Sequence, residues 1–356
     1  MAERPKIGAF RGWLISEVTA DGAGMWALDI PAPVELSTAV GSVDGNLQNE
    51  FERRTRTGGH VRMTVTFQPC EAVIGAEVIG VSLVQAPNAA VVSTIEERLE
   101  KYGVLIFRNQ DITPEQHVGF SKAFGPLAAP KIKASSPDQV ARIPDAILAV
   151  GNTGDSLVTF SPASPDGELE WHSDHIQRQV PARASLLFAR LIPAHGGDTL
   201  FACMYSAYDG LSAGQKSEYE GLEVVNSVMG VEAWLEAEGH VRKSNKRQQE
   251  TSDYAIHPLV RAHPVTGRKA LYFGNQVSVG VVGWEKEKSL AFFKKLTAHA
   301  CSSTFQYRHK WRVGDAVLWD NRRVLHAGTA YDMNEQRLLH RTTFRETEPV
   351  KSHVYQ

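Results

Sequence analysis

The chain has 356 residues, enough for one large domain or two modest ones around a substantial core. It carries 38 Lys and Arg against 40 Asp and Glu, so no basic field exists to gather nucleic acid or an anionic membrane surface. Three scattered cysteines (Cys70, Cys203, Cys301) against 13 histidines exclude a disulfide framework and a thiolate zinc knuckle. Any metal has to rest on imidazole and carboxylate.

A charged fraction of 22% with 42% hydrophobic residues describes a globular chain rather than a disordered one. The N-terminus lacks a secretory h-region, and no run of roughly 18 apolar residues suggests a membrane span. A soluble, cytoplasmic protein is expected. Residues 1–62 are punctuated by Gly and Pro and end in the charged stretch Glu50–Arg56, so they read as an N-terminal extension with no assigned role.

From Met63 the pattern turns β-like, first in VRMTVTF and then in two short runs around Gly75. Val92–Lys101 has helical periodicity, with Ser93 and Thr94 as candidate caps. Val104–Phe107 is the length of a buried strand. Thr113-Pro114 then opens a helix, with Gln116 completing a capping box. Between Gly125 and Glu170 the chain is rich in Pro, Ser, Gly and Asp, apart from an apolar run at Ala146–Val150.

The second half alternates short strands (ARASLLFARLI, KALYF, DAVLWD, HRTTF) with two helical stretches, Met204–Glu220 and Glu285–Ala300. A basic run, RKSNKR at 242–247, reads as a solvated loop. Many short strands with scattered helices indicate a mainly β fold, a sandwich or barrel with flanking α-helices.

The sharpest local feature is Trp171-His172-Ser173-Asp174. On a strand, residues two apart share a face, so His172 and Asp174 can converge on one ion. Short motifs also arise by chance, and a plain His172–Asp174 hydrogen bond stays open. A second histidine, His326 in GDAVLWDNRRVLHAG, would complete a two-His, one-carboxylate set that leaves metal positions open for non-haem Fe(II) oxygen chemistry. Arg337 and Arg341 lie four apart, on one face of any strand that carries both. Either offers a planar fork to an organic carboxylate.

The ordered set WHSD, GGDTLFA (Gly196–Ala202), HPLVRAHPVTGRKALY (His257–Tyr272), WDNRRVLHAG and QRLLHRTTF resembles the taurine dioxygenase family, which includes the aryloxyalkanoate dioxygenases. GAEVIGVSL and VLIFRNQDITPEQHVGFSKAFGPL fit it as well. The likeness runs over about residues 63–346. It implies a double-stranded β-helix (jelly-roll) core and one catalytic domain over 63–356. It also implies Fe(II), 2-oxoglutarate as cosubstrate and O2, with oxidation of a C–H bond (hydroxylation or desaturation) and release of succinate and CO2.

By position, His172, Asp174 and His326 match the family's iron ligands. Thr199 and Arg337 match the pair that holds the distal carboxylate of 2-oxoglutarate, and Trp319 matches an aromatic beside the iron. Arg341 matches the arginine that meets the substrate anion in sulfonate-oxidising members. The resemblance also implies a homo-oligomer, a dimer or a tetramer.

The taurine pocket itself is not reproduced. The stretch after Gly125 lacks the family's His and Tyr, Glu168 stands near a pocket asparagine, and Val277 stands where the family has phenylalanine. Taurine is therefore not the expected substrate. An anionic or natural-product-like small molecule is, with His175, Asn275, Gln276 and Val277 as further pocket candidates. His195, His257, His263, His309 and the three cysteines read as structural.

Two other readings compete. A non-catalytic jelly-roll binding or assembly protein would usually have lost at least one of the three ligands or Arg337, and all are present. A zinc hydrolase with the same ligands lacks an HExxH-type base and explains neither Thr199 nor Arg337.

Overall fold

The computed structural model describes residues 65–130, 137–159, 170–227, 254–275 and 277–351. The expected N-terminal extension over 1–62, the basic run at 242–247, Glu168 and Gln276 lie outside the described residues.

In chain order the elements are β1 (Thr66–Pro69), β2 (Ala76–Ile79), α1 (Ala89–Tyr102), β3 (Val104–Phe107) and α2 (Pro114–Lys122). There follow α3 (Pro137–Arg142), β4 (Leu148–Gly151), β5 (Val158–Thr159), β6 (Ala182–Leu191) and β7 (Thr199–Cys203). Next come α4 (Met204–Asp209), α5 (Ala213–Tyr219), β8 (Glu223–Ser227), β9 (Tyr254–Pro258), β10 (Val260–Ala262) and β11 (Lys269–Leu271). The chain closes with β12 (Ser278–Val281), α6 (Lys286–Ala300), β13 (Gln306–His309), β14 (Ala316–Asp320), β15 (Val324–Gly328) and β16 (Leu338–Arg345).

An eight-stranded sheet in the order β1-β2-β3-β14-β6-β16-β4-β5 forms one wall, and the three-stranded sheet β13-β7-β15 forms the other. The alternation of side chains explains the unbroken apolar runs. In β3, Val104 and Ile106 join the cluster between the walls, with Leu200, Phe201, Val317 and Trp319. Leu105 and Phe107 point the other way, into the cluster with Ile95 and Leu99 of α1 and Phe120 of α2. Strands covered on both faces read as continuous hydrophobic sequence rather than alternation. On β6 and β16 the same parity turns Ser185, Leu187, Leu339 and Arg341 toward the inner side, where the site is built.

Local chemistry sets the helix ends. Thr113 accepts from the Gln116 N–H at 3.2 Å while the Gln116 side chain accepts from the Thr113 N–H at 2.8 Å, the expected capping box. The first long helix, by contrast, is not capped at Ser93 or Thr94. It begins three residues earlier than expected, under Asn88, whose Oδ1 accepts from the Val91 N–H at 3.0 Å. Thr94 lies inside it and bonds back to the Ala90 carbonyl.

The expected helical stretch 204–220 is two helices. Gly210 and Leu211 part them, and Ser212 with Gln215 makes a second capping box that starts α5. The stretch expected to be irregular between 125 and 170 holds α3, β4 and β5.

Candidate active site

The main chain of His172 is held by a pair of backbone hydrogen bonds. Its N–H donates to the His326 carbonyl at 3.0 Å, and the His326 N–H donates to the His172 carbonyl at 2.9 Å. This single antiparallel bridge appends residue 172 to β15 at the edge of the smaller sheet. Gly274 lies against the same segment, so closely that a Cβ there would stand 3.1 Å from the His172 Cα and 3.2 Å from the Trp171 carbonyl. Asp174 opens the turn that follows rather than continuing a strand. The strand-face argument for His172 and Asp174 thus gives way to a bridge and a turn.

The three expected ligands meet. Donor atoms of His172, Asp174 and His326 all lie within 4.8 Å of one another. The two imidazole centroids are 4.1 Å apart, and His326 Nε2 is 4.0 Å from Asp174 Oδ2. His172 Nδ1 lies 3.0 Å from the Glu170 carbonyl. A carbonyl only accepts, so Nδ1 carries a hydrogen and Nε2 is the nitrogen left to face a metal.

Burial, the neighbouring His172 ring and Arg341 hold His326 well below its ordinary pKa, against the opposing pull of Asp174. Its ring is therefore neutral and able to ligate. Burial works against ionisation of Asp174. Even so, the Arg341 guanidinium beside it keeps the carboxyl well below the usual carboxylate range. One anionic oxygen donor beside two imidazoles fits a divalent transition metal.

Arg341 donates to Asp174 Oδ1 at 2.5 Å, and Ser185 donates to Asp174 Oδ2 at 2.6 Å. Asn321 accepts from the Asp174 N–H at 3.2 Å, and Ser173 donates to the Asn321 carbonyl at 2.7 Å. Trp319 is fully buried behind these groups, its ring 4.7 Å from that of His326 and 5.6 Å from Phe201.

The expected cosubstrate pair lies at the start of β7. Thr199 is buried, and its Oγ1 accepts from the Trp311 indole N–H at 3.0 Å. Arg337 is buried too. Its Nε and Nη2 donate to the Gly197 carbonyl at 3.3 and 3.1 Å, and its guanidinium lies 5.6 Å from the Tyr331 ring centre. Burial lowers the Arg337 pKa to about 10, opposed by Tyr331 and Asp198. An anion at the guanidinium would offset that cost.

Arg337 stands just before β16, and its guanidinium reaches the Gly197 carbonyl, while Arg341, inside the strand, reaches Asp174.

Of the pocket candidates, His175 has φ 56° and adds to the positive field at Asp174. Asn275 sits half-buried in the turn after Gly274. Val277 packs in a small apolar cluster with Ile176, Tyr272 and Val350. Sequence reasoning missed Ser185, Asn321, Trp311 and Tyr331. Two of them stand next to or inside quoted motifs, and none carries a spacing that announces its role.

The model of the taurine catabolism dioxygenase TauD, TfdA family matches residues 66–343. The chain belongs to this family. A (S)-phenoxypropionate/alpha-ketoglutarate-dioxygenase of Sphingobium herbicidovorans is 34% identical over 278 residues, covering 76% of this chain and 91% of that protein. An alpha-ketoglutarate-dependent 2,4-dichlorophenoxyacetate dioxygenase of Cupriavidus pinatubonensis is 33% identical over 298 residues, covering 79% and 98%. The crystal structure of AAD-2 in complex with Mn(II) and N-oxalylglycine superposes with a TM-score of 0.67 at 30% identity, covering 82% of this chain and all of that one. This TauD, TfdA family member is a 2-oxoglutarate-dependent dioxygenase on a jelly-roll core, and its family's substrates are not confined to taurine.

Proposed function

We propose that the chain binds Fe(II) through His172, Asp174 and His326 and oxidises a C–H bond of a small organic anion of the aryloxyalkanoate kind. The observation that carries this reading is the convergence of two imidazoles and one buried carboxylate within 4.8 Å. With 2-oxoglutarate and O2, Fe(II) at such a site supplies the oxidising chemistry, and the cosubstrate leaves as succinate and CO2.

The protein's own residues supply position and charge. Arg337 is a buried cation beside the start of β7, and Thr199 stands two residues from its Gly197 contact, a fit for the distal carboxylate of 2-oxoglutarate. Thr199 Oγ1 already accepts from Trp311, so its own hydrogen is left to donate to that carboxylate. Arg341 faces the ligand carboxylate from the inner side of β16, where its charge suits an anionic substrate. The Phe201 and Trp319 rings keep water from the far side of His326. The two aryloxyalkanoate-oxidising relatives support the substrate class.

The test is succinate formation by the full chain with Fe(II), 2-oxoglutarate and O2, across a panel of aryloxyacetates, aryloxypropionates, alkyl sulfates and taurine. Stimulation by aryloxy acids and not by taurine is expected. No stimulated succinate with any member, at a metal-loaded site, overturns the reading. A homo-oligomeric, cytoplasmic enzyme belongs to the same proposal. Sedimentation checks the first part: a monomer at working concentration would refute it. Among the described residues no helix is long and apolar enough to cross a membrane.

A further inference from the structure

Asn321 occupies the turn between β14 and β15 and is almost fully buried. Each polar atom of its amide has a partner. Oδ1 accepts from the Trp319 indole N–H at 2.8 Å and from the Asp174 main-chain N–H at 3.2 Å. Nδ2 donates to Ser185 Oγ at 3.0 Å. Its main chain is fixed as well, the N–H donating to the Arg183 carbonyl at 2.9 Å and the carbonyl accepting from Ser173 Oγ at 2.7 Å.

The chemistry of these partners leaves one orientation. An indole N–H and a peptide N–H can only donate, so the amide oxygen has to face them and the amide nitrogen has to face Ser185. Ser185 Oγ then accepts from Asn321, and its single hydrogen is left for Asp174 Oδ2 at 2.6 Å. Ser185 lies across from both Trp319 and Thr343 in the eight-stranded sheet, so its Oγ stands on a rigid floor.

We propose that Asn321, acting through Ser185, is the positioning residue for the metal carboxylate: it fixes the Asp174 main chain and orients the one hydroxyl that restrains Oδ2. This inference rests on the metal-site reading above. The same short segment carries Trp319 against the His326 ring and His326 itself, so Asn321 couples one ligand to the element that bears another. Hydrogen-bond partners of metal ligands orient the donor lone pairs, and their loss typically costs about 10- to 100-fold in metal affinity.

Two variants separate the links. Ser185→Ala removes the hydroxyl and leaves the amide. Asn321→Asp keeps the shape but makes the side chain acceptor-only, so Ser185 turns its hydrogen to residue 321 and Asp174 Oδ2 loses its donor.

The experiment titrates Co(II) alone into the metal-free full chain and follows the visible absorption band, alongside thermal unfolding of the metal-free protein. Both variants are expected to bind Co(II) about 10- to 100-fold more weakly than the wild type, with a shifted band. Metal-free Ser185→Ala should unfold close to the wild-type temperature. If Asn321→Asp fails to fold, Ser185→Ala decides alone. Wild-type affinity and an unshifted band in Ser185→Ala, whether or not its unfolding temperature falls, overturn the proposal. Failure of the wild type to bind Co(II) overturns the metal-site reading itself, and this inference with it.

Discussion

His172 and His326 exchange both of their main-chain hydrogen bonds, at 3.0 and 2.9 Å, although the two residues lie far apart in the chain. The bridge is made without either side chain, so it holds the rings side by side whatever the rings carry.

His172→Ala should therefore leave the fold in place and remove the metal donor. The expected result is loss of Co(II) binding and of substrate-stimulated succinate, with an unchanged far-ultraviolet circular dichroism spectrum. Retained turnover would refute the ligand role.

Gly274→Ala should act on the same ligand from outside it. The new methyl would meet the His172 Cα at 3.1 Å and the Trp171 carbonyl at 3.2 Å, and both are main-chain atoms with little room to move. Overpacking of this kind costs about 1–3 kcal/mol. Urea unfolding should show a loss in that range, and Co(II) titration should show weaker binding. Wild-type values in both would mean that the segment gives way freely.

Arg337→Ala should chiefly raise the 2-oxoglutarate requirement. A hydrogen bond to a charged group is worth about 1.5–3 kcal/mol, so the KM for the cosubstrate should rise by roughly 10- to 100-fold. Arg337→Lys should recover only part of it, because an ammonium lacks the planar fork. Steady-state kinetics with varied 2-oxoglutarate decides, and an unchanged KM in Arg337→Ala would remove Arg337 from the cosubstrate site.

Acid should destabilise the fold through its buried histidines. Burial lowers the pKa of His117 to about 3 and those of His257 and His340 to about 4, from an ordinary 6.5. Below pH 6.5 the unfolded chain takes up protons that the folded chain refuses, so stability falls as pH drops from about 6.5 to about 4. Urea unfolding at stepped pH measures the slope. His117→Gln should make it shallower, and an unaltered slope would show that His117 does not contribute.

Thr113→Ala should cost about 0.5–2 kcal/mol of unfolding free energy, because it removes half of a capping box in which both bonds are present. Urea unfolding at neutral pH measures the loss, while activity per folded molecule should be unchanged.

What the sequence disclosed follows the range of the interactions. The capping box at Thr113 and Gln116 spans four residues and was legible. The one at Ser212 and Gln215 was equally local, but apolar periodicity through Met204–Glu220 masked it. Asn88 was overlooked as a cap because the helical periodicity becomes obvious only at Val92, one turn later.

The three expected ligands could be named because each lies in a motif with a distinctive neighbour. Ser185 could not, since its two decisive partners, Asp174 and Asn321, are 11 and 136 residues away and meet it only after the sheet has formed. The register shift opposite Leu338 and Leu339 is another such case. Strand periodicity assumes an unbroken ladder, and the extra residue on β6 leaves no composition signal in Ala189-Arg190-Leu191.

The turn from Trp319 to His326 bears the aromatic backing, the amide that faces Asp174 and the second imidazole within eight consecutive residues. Three duties on one connection between two sheets cannot drift independently, because a shift that suits one displaces the other two. Diversification of such an enzyme toward new substrates therefore has to draw on walls contributed by other parts of the chain, with this connection as the fixed datum against which they are set.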